Sequence, residues 1–276
     1  MTQGMVLRED PLFSVRDRVV VVTGGAGRLG RSFCKSLLAR GARVAVLDVA
    51  EAAELAFDET PSDASLRFEF ADVADRASLA AALARITRDW GVPHGLVNAA
   101  AIDAPPDAPA EENGPFETYP ADSWDRVMSV NVKGVMLACQ TIGAAMARAG
   151  RGAIVNIASI YGVVSPDQSL YDYRRQRGEN FYKPIAYSVS KSALLNLTRY
   201  LATYWAKRGV RVNTLTPGGV FAGQDREFLD GYQARVPLGR MSREDEYDGA
   251  LLFLLSDASS YMTGANLVID GGWTAW

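Results

Sequence analysis

The sequence predicts one α/β domain built on a doubly wound parallel sheet of seven strands. The first run, Arg18–Thr23, is continuously β-branched, which indicates a strand buried on both faces, as in a parallel sheet. It leads directly into a glycine-rich loop and a helical pattern that continues to Ala39. Short apolar runs then alternate with helical segments along the rest of the 276 residues. This order of elements is typical of a Rossmann-like fold.

The remaining elements follow the same alternation, without an internal repeat, a low-complexity tract or a linker. Residues 1–276 are therefore expected to form one domain. Two segments, Ile102–Tyr119 and Val164–Pro184, are predicted as inserted loops, and residues 1–17 as an extended arm. Strands two to seven are predicted at Arg43–Leu47, Leu66–Phe70, Gly95–Val97, Gly152–Ile157, Val210–Leu215 and Asn266–Ile269, and further helices at Asp75–Trp90, Ala121–Ala149, Ile185–Lys207, within 221–240 and at Arg243–Ser256.

Composition and charge exclude several kinds of partner. The net charge of −3 and the pI near 5.4 argue against nucleic acid, which requires a basic face. The sequence has no apolar run of the roughly 18 residues that a membrane span needs, so we expect no membrane partner. The first residues lack the apolar core of a signal peptide. Because Cys34 and Cys139 fall in helical patterns and His94 is the one histidine, we expect no metal site and a reduced, cytoplasmic location.

The glycine loop after the first strand is predicted to bind a dinucleotide, with a plain tight turn as the alternative. Glycines from Gly24 to Gly30 let the backbone turn sharply and approach a pyrophosphate, and the helix N-terminus offers free N–H groups. Asp48 ends the second strand 24 residues after Gly24 (48 − 24), where a carboxylate can accept from a ribose hydroxyl. Because a carboxylate repels the 2′-phosphate of NADP, Asp48 predicts NAD rather than NADP.

Tyr187 and Lys191 lie four residues apart in a predicted helix, so their side chains share one helix face. A nearby ammonium can lower the pKa of a phenol from its ordinary value of about 10, which makes tyrosine a usable base. The alternative is a solvated helix face. That alternative weakens because Asn98, Ser159 and Pro217 follow strands four, five and six, whose ends converge on one crevice.

These residues together resemble the short-chain dehydrogenase/reductase family, and the resemblance runs from about Arg18 to Trp273. It rests on a glycine loop, a strand end, a tetrad of polar residues and a Pro-Gly pair. In chain order these are Thr23–Gly30 (T-G-x-x-x-G-x-G in the family), Asn98–Ala101 (N-N-A-G in the family), the tetrad Asn131, Ser159, Tyr187 and Lys191, and Pro217-Gly218.

The resemblance implies hydride transfer between a nicotinamide and a carbonyl/alcohol pair. It implies that Tyr187 takes or donates the alcohol proton, and that Lys191 lowers the pKa of Tyr187 and binds the nicotinamide ribose. Ser159 would hold the reacting oxygen. Asn131 would anchor a water that passes the proton to solvent, with a helix-to-strand packing bond as the alternative. The implied cofactor contacts are Gly24, Gly27, Arg28, Leu29, Asp48, Asp72, Val73, Asn98, Ala99, Ala100, Tyr187, Lys191, Pro217, Gly218 and Val220.

The sequence departs from the family pattern in the glycine loop and in both inserted loops. Arg28 stands where the family usually has a glycine, and a cation at this helix end is unfavourable unless a phosphate or carboxylate offsets it. The Val164–Pro184 loop separates Ser159 from Tyr187 by 28 residues (187 − 159), wider than usual. Its Tyr173, Arg174 and Arg175 suggest a cap that selects an anionic or polyhydroxylated small molecule, such as a sugar acid. The alternative is a solvated loop or a subunit contact.

The sequence therefore predicts an NAD-dependent enzyme that interconverts a secondary alcohol and a ketone on a sugar acid, sugar or polyol. One alternative is an NADPH-dependent ketone or 3-oxoacyl reductase, against which Asp48 argues. Another is a non-catalytic nucleotide-sensing protein, against which the complete tetrad argues. By resemblance the protein forms a homotetramer or homodimer, in which Trp276 borders a neighbouring subunit's pocket. Packing of Trp276 on its own subunit is the alternative.

Overall fold

The protein contains a seven-stranded parallel sheet, as the sequence predicts, in the order β3-β2-β1-β4-β5-β6-β7. The computed structural model describes residues 10–50, 64–103 and 110–276. Half of the predicted arm (residues 1–9) and the middle of the first inserted loop (104–109) lie outside the described residues. The strands are β1 (Val19–Thr23), β2 (Arg43–Asp48), β3 (Leu66–Phe70), β4 (Gly95–Asn98), β5 (Gly152–Ile157), β6 (Val210–Pro217) and β7 (Asn266–Ile269).

The helices between these strands begin and end at residues that suit their ends. Asp75, for example, caps the second helix by accepting the Ala77 N–H at 2.8 Å, and Gly91 ends it with φ of +83°. The predicted helix over Arg243–Ser256 forms a 3₁₀ turn followed by an α-helix. The described α-helices are α1 (Arg28–Ala39), α2 (Arg76–Trp90), α3 (Ala121–Arg148), α4 (Asp172–Gln176), α5 (Ile185–Trp205), α6 (Arg226–Gln233) and α7 (Asp248–Leu255).

The core lies on both faces of the sheet, which explains why β1 is apolar without alternation. All five residues of β1 are buried. Val19 and Val21 pack with the face that α2, α3 and α5 cover, whereas Val20 and Val22 pack with the face that α1 and α7 cover. The prediction of a strand buried on both faces is therefore confirmed.

Helix α3 is long and apolar enough to cross a membrane by length and composition alone, although the sequence suggested no such segment. Its most apolar stretch is 61% buried within the fold, against the sheet and neighbouring helices, as in the core helix of a globular domain. Two π-helical segments, Ser129–Gly134 and Cys139–Gly143, interrupt its regular hydrogen bonding. The first contains Asn131, and such bulges often occur at functional sites.

The strand order reverses at β1, which pairs with β2 on one side and β4 on the other. In such sheets a ligand crevice forms beyond the carboxyl ends of the strands at this switch point. The second inserted loop borders this crevice with a 3₁₀ turn (Gln168–Tyr171) and helix α4. It is joined to the first inserted loop by the Tyr182 N–H, which donates to the Asn113 carbonyl at 2.7 Å.

Candidate active site

A cavity of about 910 Å³ lies beyond the carboxyl ends of β1, β4, β5 and β6. It brings together Ser159 after β5, Tyr187 and Lys191 from α5, and the predicted Pro217-Gly218 pair at the end of β6. The glycine loop contributes to the same cavity. These strand ends share one crevice, as the sequence predicts, whereas Asn98, which was predicted with them, does not line it. Further predicted residues that line the cavity are Gly24, Gly27, Arg28, Leu29, Ala99 and Val220.

Two lysines lie close to the Tyr187 ring. The Nζ atoms of Lys183 and Lys191 are 4.8 Å and 5.7 Å from its centroid. Lys191 is buried, and its Nζ donates to the Ile157 carbonyl at 2.8 Å, which fixes the ammonium against the end of β5. Ser159 is also buried, and its Oγ accepts the Tyr161 N–H at 3.2 Å. Hydrogen bonds to backbone groups thus hold both Lys191 and Ser159 in place beside Tyr187.

The pKa of Tyr187 is shifted upward, opposite to the direction expected from the sequence. Burial raises the pKa of this phenol, and the Asp103 carboxylate raises it further, whereas a hydrogen bond with Ser159 lowers it. Burial also lowers the pKa of Lys191 to about 8, against the opposing effect of Asp103. The expectation failed because burial disfavours the charged forms of both groups, which raises the pKa of the phenol and lowers the pKa of the ammonium.

The side chain of Asn131 fits the packing alternative. Its Oδ1 accepts the Ile102 N–H at 2.8 Å, and its Nδ2 donates to the Ile102 carbonyl at 2.9 Å and to the Ser190 hydroxyl at 3.0 Å. Ser190 Oγ in turn donates to the Tyr187 carbonyl at 2.7 Å. Asn131 is fully buried, so its amide ties the segment after β4 to helix α5 beside Tyr187.

The glycine loop approaches the end of β4 so closely that side chains are excluded. Gly24 has φ of +67°, and a Cβ there would lie 2.5 Å from the Ala100 Cα. A Cβ on Gly30 would lie 2.1 Å from the Gly24 carbonyl oxygen. Asp48 accepts the Ala26 N–H at 2.9 Å, which holds the end of β2 against the loop. A backbone cradle at a helix N-terminus with an adjacent carboxylate fits a dinucleotide.

Arg28, which departs from the family pattern, has the carboxylate that its position requires. Its Nη1 lies 3.0 Å from Glu244 Oε1 and donates to the Phe221 carbonyl at 3.3 Å. Glu244 belongs to the 3₁₀ turn before α7, far away in sequence. The ion pair therefore offsets the unfavourable cation at this helix end.

Several predicted cofactor residues lie beside the cavity rather than in its wall. Asn98 is buried and donates to Asn156 Oδ1 at 2.8 Å, a bond between β4 and β5. Asp72 accepts the Ala74 N–H at 2.8 Å. Val73 is buried, and its side chain packs closely against Gly134 of α3. Asp48 and Ala100 also lie outside the cavity wall, next to the glycine loop.

The basic residues of the predicted cap are paired within the protein. Arg174 lines the cavity, but its Nε donates to Glu179 Oε2 at 2.6 Å and its guanidinium stacks on Phe181. Arg175 forms an ion pair with Asp172 and donates to the carbonyls of Gln168 and Phe181. It does not line the cavity, because these bonds direct it into its own loop.

Tyr173 lines the cavity, and its hydroxyl donates to Asp225 Oδ2 at 2.9 Å. The cavity also has polar and aromatic lining residues that the sequence analysis missed. Asp103 and Lys183 form an ion pair within it. Lys183 belongs to the basic second inserted loop, and it could have been assigned to the site because it lies four residues before Tyr187, as Lys191 lies four after it. The missed aromatic residues come from three separate segments, which no local pattern connects: Tyr161, Tyr171, Phe181, Phe228 and Tyr232.

The C-terminal tail is divided between packing and exposure. Trp273 is buried and stacks on Tyr232, with ring centroids 4.5 Å apart. Trp276 is 82% exposed, so the alternative that it packs on its own subunit is wrong. Its predicted place beside a neighbouring subunit's pocket stays a prediction.

A glycine cradle at the end of β1 and a Ser-Tyr-Lys group in the same cavity define a dinucleotide-dependent oxidoreductase. Residues 25–274 match a family model described as enoyl-(acyl carrier protein) reductase. The chain belongs to the short-chain dehydrogenase/reductase family, and it acts on CH–OH groups with NAD or NADP.

Similar proteins of this family span essentially the whole chain. D-threitol dehydrogenase from Mycolicibacterium smegmatis is 36% identical over 99% of both chains. Cis-4-hydroxycyclohexanecarboxylate dehydrogenase from Sinomonas cyclohexanicum is 36% identical over 94% of this chain and 97% of that protein. The crystal structure of a short chain dehydrogenase from Leptospira borgpetersenii with bound NAD+ superimposes with a TM-score of 0.84, at 31% identity and 99% coverage of both chains.

Proposed function

We propose that this protein is an NAD-dependent dehydrogenase that oxidises a secondary alcohol of a neutral polyol or sugar to a ketone. The observation that carries this proposal is one cavity in which Ser159, Tyr187 and Lys191 meet beside the glycine loop. A nucleotide sensor would need the loop but not this polar group. The presence of both favours catalysis over sensing.

In this proposal the phenolate form of Tyr187 takes the proton from the alcohol oxygen, and Ser159 holds that oxygen by a hydrogen bond. Lys191 contributes positive charge beside Tyr187 and would hold the nicotinamide ribose. Asn131 positions helix α5 through Ile102 and Ser190. Bound to the glycine loop, a nicotinamide dinucleotide supplies the acceptor for the hydride that leaves the carbinol carbon.

Asp48 supports NAD as the cofactor. Its carboxylate lies at the end of β2 and already accepts the N–H groups of Ala26, Val49 and Ala50. A 2′-phosphate next to this anion would be repelled, whereas a ribose hydroxyl can donate to it. The NAD+ in the structure from Leptospira borgpetersenii is consistent with this choice.

The charges around the cavity favour a neutral substrate over a sugar acid. The two similar enzymes illustrate both kinds, because threitol is neutral and a cyclohexanecarboxylate is an anion. Both arginines among the described lining residues have carboxylate partners, Arg28 with Glu244 and Arg174 with Glu179. A paired guanidinium offers little to an incoming carboxylate. This observation leads us to favour polyols over the sugar acid first suggested by the cap.

We expect Arg174→Ala to change kcat/KM for the best polyol by less than about threefold, because Arg174 is bonded to its own loop.

We expect Arg175→Ala to destabilise the protein by about 1–2 kcal/mol, because the Gln168 and Phe181 carbonyls lose their donor. Kinetics and thermal unfolding measure these effects. Arg226→Ala, in an exposed and loosely paired position, is the control. A strong loss of turnover of anionic substrates alone in Arg174→Ala would restore the sugar-acid hypothesis.

The first test is absorbance at the reduced-nicotinamide band with NAD and NADP against polyols, sugars, sugar acids and simple secondary alcohols. We expect turnover of a polyol or sugar with NAD. Activity confined to ketones with NADPH would establish the reductase alternative. Tight binding of NAD without turnover of any substrate would establish the sensor.

We also infer that the protein is a cytoplasmic homotetramer or homodimer that acts on a small molecule. The inference rests on the family and on the exposed Trp276 at the C-terminus. Light scattering of the purified protein measures the oligomeric state directly.

A further inference from the structure

The cavity contains an ion pair that the proposed proton transfer does not use. Asp103 and Lys183 come from the two different inserted loops and are 80 residues apart (183 − 103). Their side chains both line the cavity, and that of Lys183 is more deeply buried than that of Asp103. Charged groups are costly to bury, so a pair in a binding cavity calls for an explanation.

The pair lies next to the reacting group. Lys183 Nζ is 4.8 Å from the centroid of the Tyr187 ring, closer than Lys191 Nζ at 5.7 Å. Asp103 is near enough to raise the pKa of both Tyr187 and Lys191. Through its contact with Lys183, this carboxylate lies in the same part of the cavity as the Tyr187 ring, where the reacting hydroxyl is expected to bind.

The chemistry of the pair matches a polyol. An ionised carboxylate only accepts hydrogen bonds and an ammonium only donates them, whereas each hydroxyl of a diol can do both. Bonds from a hydroxyl to a carboxylate are among the stronger hydrogen bonds in proteins. The carboxylate also repels an anionic substrate, which agrees with the paired arginines elsewhere in the cavity.

We propose that the Asp103 carboxylate, oriented by Lys183, accepts a hydrogen bond from a substrate hydroxyl adjacent to the reacting one and so selects polyols over simple alcohols. This inference rests on the proposed function and gives a specificity residue to the same site. Lys183 acts here as a positioning residue, because its ammonium pairs with the carboxylate and lies over the Tyr187 ring.

A simpler explanation is that the pair only fastens the two inserted loops together. Fastening is already provided in part by the bond from the Tyr182 N–H to the Asn113 carbonyl. An ion pair that only holds the two loops together requires opposite charges on them, but either loop can carry the carboxylate. A substrate-binding carboxylate must stand at position 103. The two explanations therefore differ in what a reversed pair can do.

The experiment compares kcat/KM of the wild type and Asp103→Asn for a four-carbon series: 2-butanol, 2,3-butanediol and a tetritol. We expect Asp103→Asn to lose about thirtyfold for the diol and the tetritol, because a charged acceptor of the substrate hydroxyl becomes a neutral one. Loss of the Asp103 charge also lowers the pKa of Tyr187, which changes the rates for all three alcohols alike, so the thirtyfold loss is measured relative to 2-butanol. Asp172→Asn, which removes an exposed carboxylate paired with Arg175 outside the cavity, should leave the whole series unchanged.

The reversed variant Asp103→Lys with Lys183→Asp gives a second test that uses the tetritol alone. We expect it to bind NAD as the wild type does but not to recover tetritol turnover. Recovery of tetritol turnover to near the wild-type value would overturn the proposal and show that the pair only holds the two loops together. An equal loss for all three alcohols in Asp103→Asn would also overturn it.

These outcomes separate the proposal from the function on which it rests. A wild-type enzyme that oxidises 2-butanol but neither the diol nor the tetritol would overturn both the polyol assignment and the role of Asp103. A wild-type enzyme that oxidises the tetritol, with the same tetritol-to-butanol ratio in Asp103→Asn, would overturn the role of Asp103 alone.

Discussion

Tyr187→Phe is expected to lower kcat for alcohol oxidation by about 10³-fold while the affinity for NAD changes by less than about threefold. The substitution removes the hydroxyl that takes the proton. It keeps the ring that contacts Lys183 and Lys191. Steady-state absorbance gives kcat, and a fluorescence titration with NAD gives the affinity. Retention of more than a tenth of the wild-type kcat would show that another group is the base.

A matched control for this variant is Tyr173→Phe. Tyr173 also lines the cavity, but its hydroxyl donates to Asp225 Oδ2. We expect kcat in this variant to fall by less than about threefold, with a loss of stability of about 1 kcal/mol from the broken bond. Similar large losses in both variants would indicate damage to the cavity instead of loss of a base.

The pH profile gives an independent test of Tyr187. Burial and Asp103 raise its pKa, so the phenol is protonated at neutral pH and the base form grows as the pH rises. Oxidation in the wild type should therefore accelerate towards alkaline pH, by up to about tenfold per unit. Ketone reduction, which uses the protonated form, should stay level through neutral pH. The acceleration should be absent in Tyr187→Phe.

The sheet was predictable from the sequence because its central strands are continuously apolar and buried on both faces, and helical segments alternate with the strands along the chain. β3, β5 and β7 fall at the predicted residues, and the others differ by one or two residues at an end. The convergence of Ser159, Tyr187 and Pro217 was predictable for the same reason, since each follows a strand whose carboxyl end must face the switch point. Local patterns of this kind need no knowledge of side-chain packing.

Properties that depend on side-chain packing could not be predicted. The direction of the pKa shift of Tyr187 depends on its burial in the folded chain, which the Tyr-Lys spacing does not contain. Two adjacent arginines, Arg174 and Arg175, suggest an anion site in the sequence. Their pairing with Glu179 and Asp172 becomes visible only in the folded loop. The same holds for Asp103 and Lys183, which two inserted loops bring together.

Gly24→Ala is expected to destabilise the protein by about 3 kcal/mol, from a positive φ and from overpacking. It is also expected to weaken NAD binding by more than about tenfold, because the cradle itself must move. At Gly24, φ is +67° and the nearest atoms to a Cβ are backbone atoms of Ala99 and Ala100, 2.5 to 2.9 Å away. Backbone that directly follows a strand of the sheet cannot move aside as a flexible side chain can. Thermal unfolding and an NAD titration measure the two effects.

Gly150→Ala separates the contribution of φ from that of the close approach. Gly150 has nearly the same backbone angle, φ of +73°, but a Cβ there would meet nothing within 4 Å. Only the backbone penalty of about 1 kcal/mol should remain, with NAD binding unchanged. If Gly24→Ala costs no more than Gly150→Ala, the contact with Ala100 is not tight in solution. If Gly24→Ala costs more than Gly150→Ala, the difference measures the close approach of the loop to the segment after β4. That close approach also forms the backbone cradle at the start of α1, so only glycine fits at position 24.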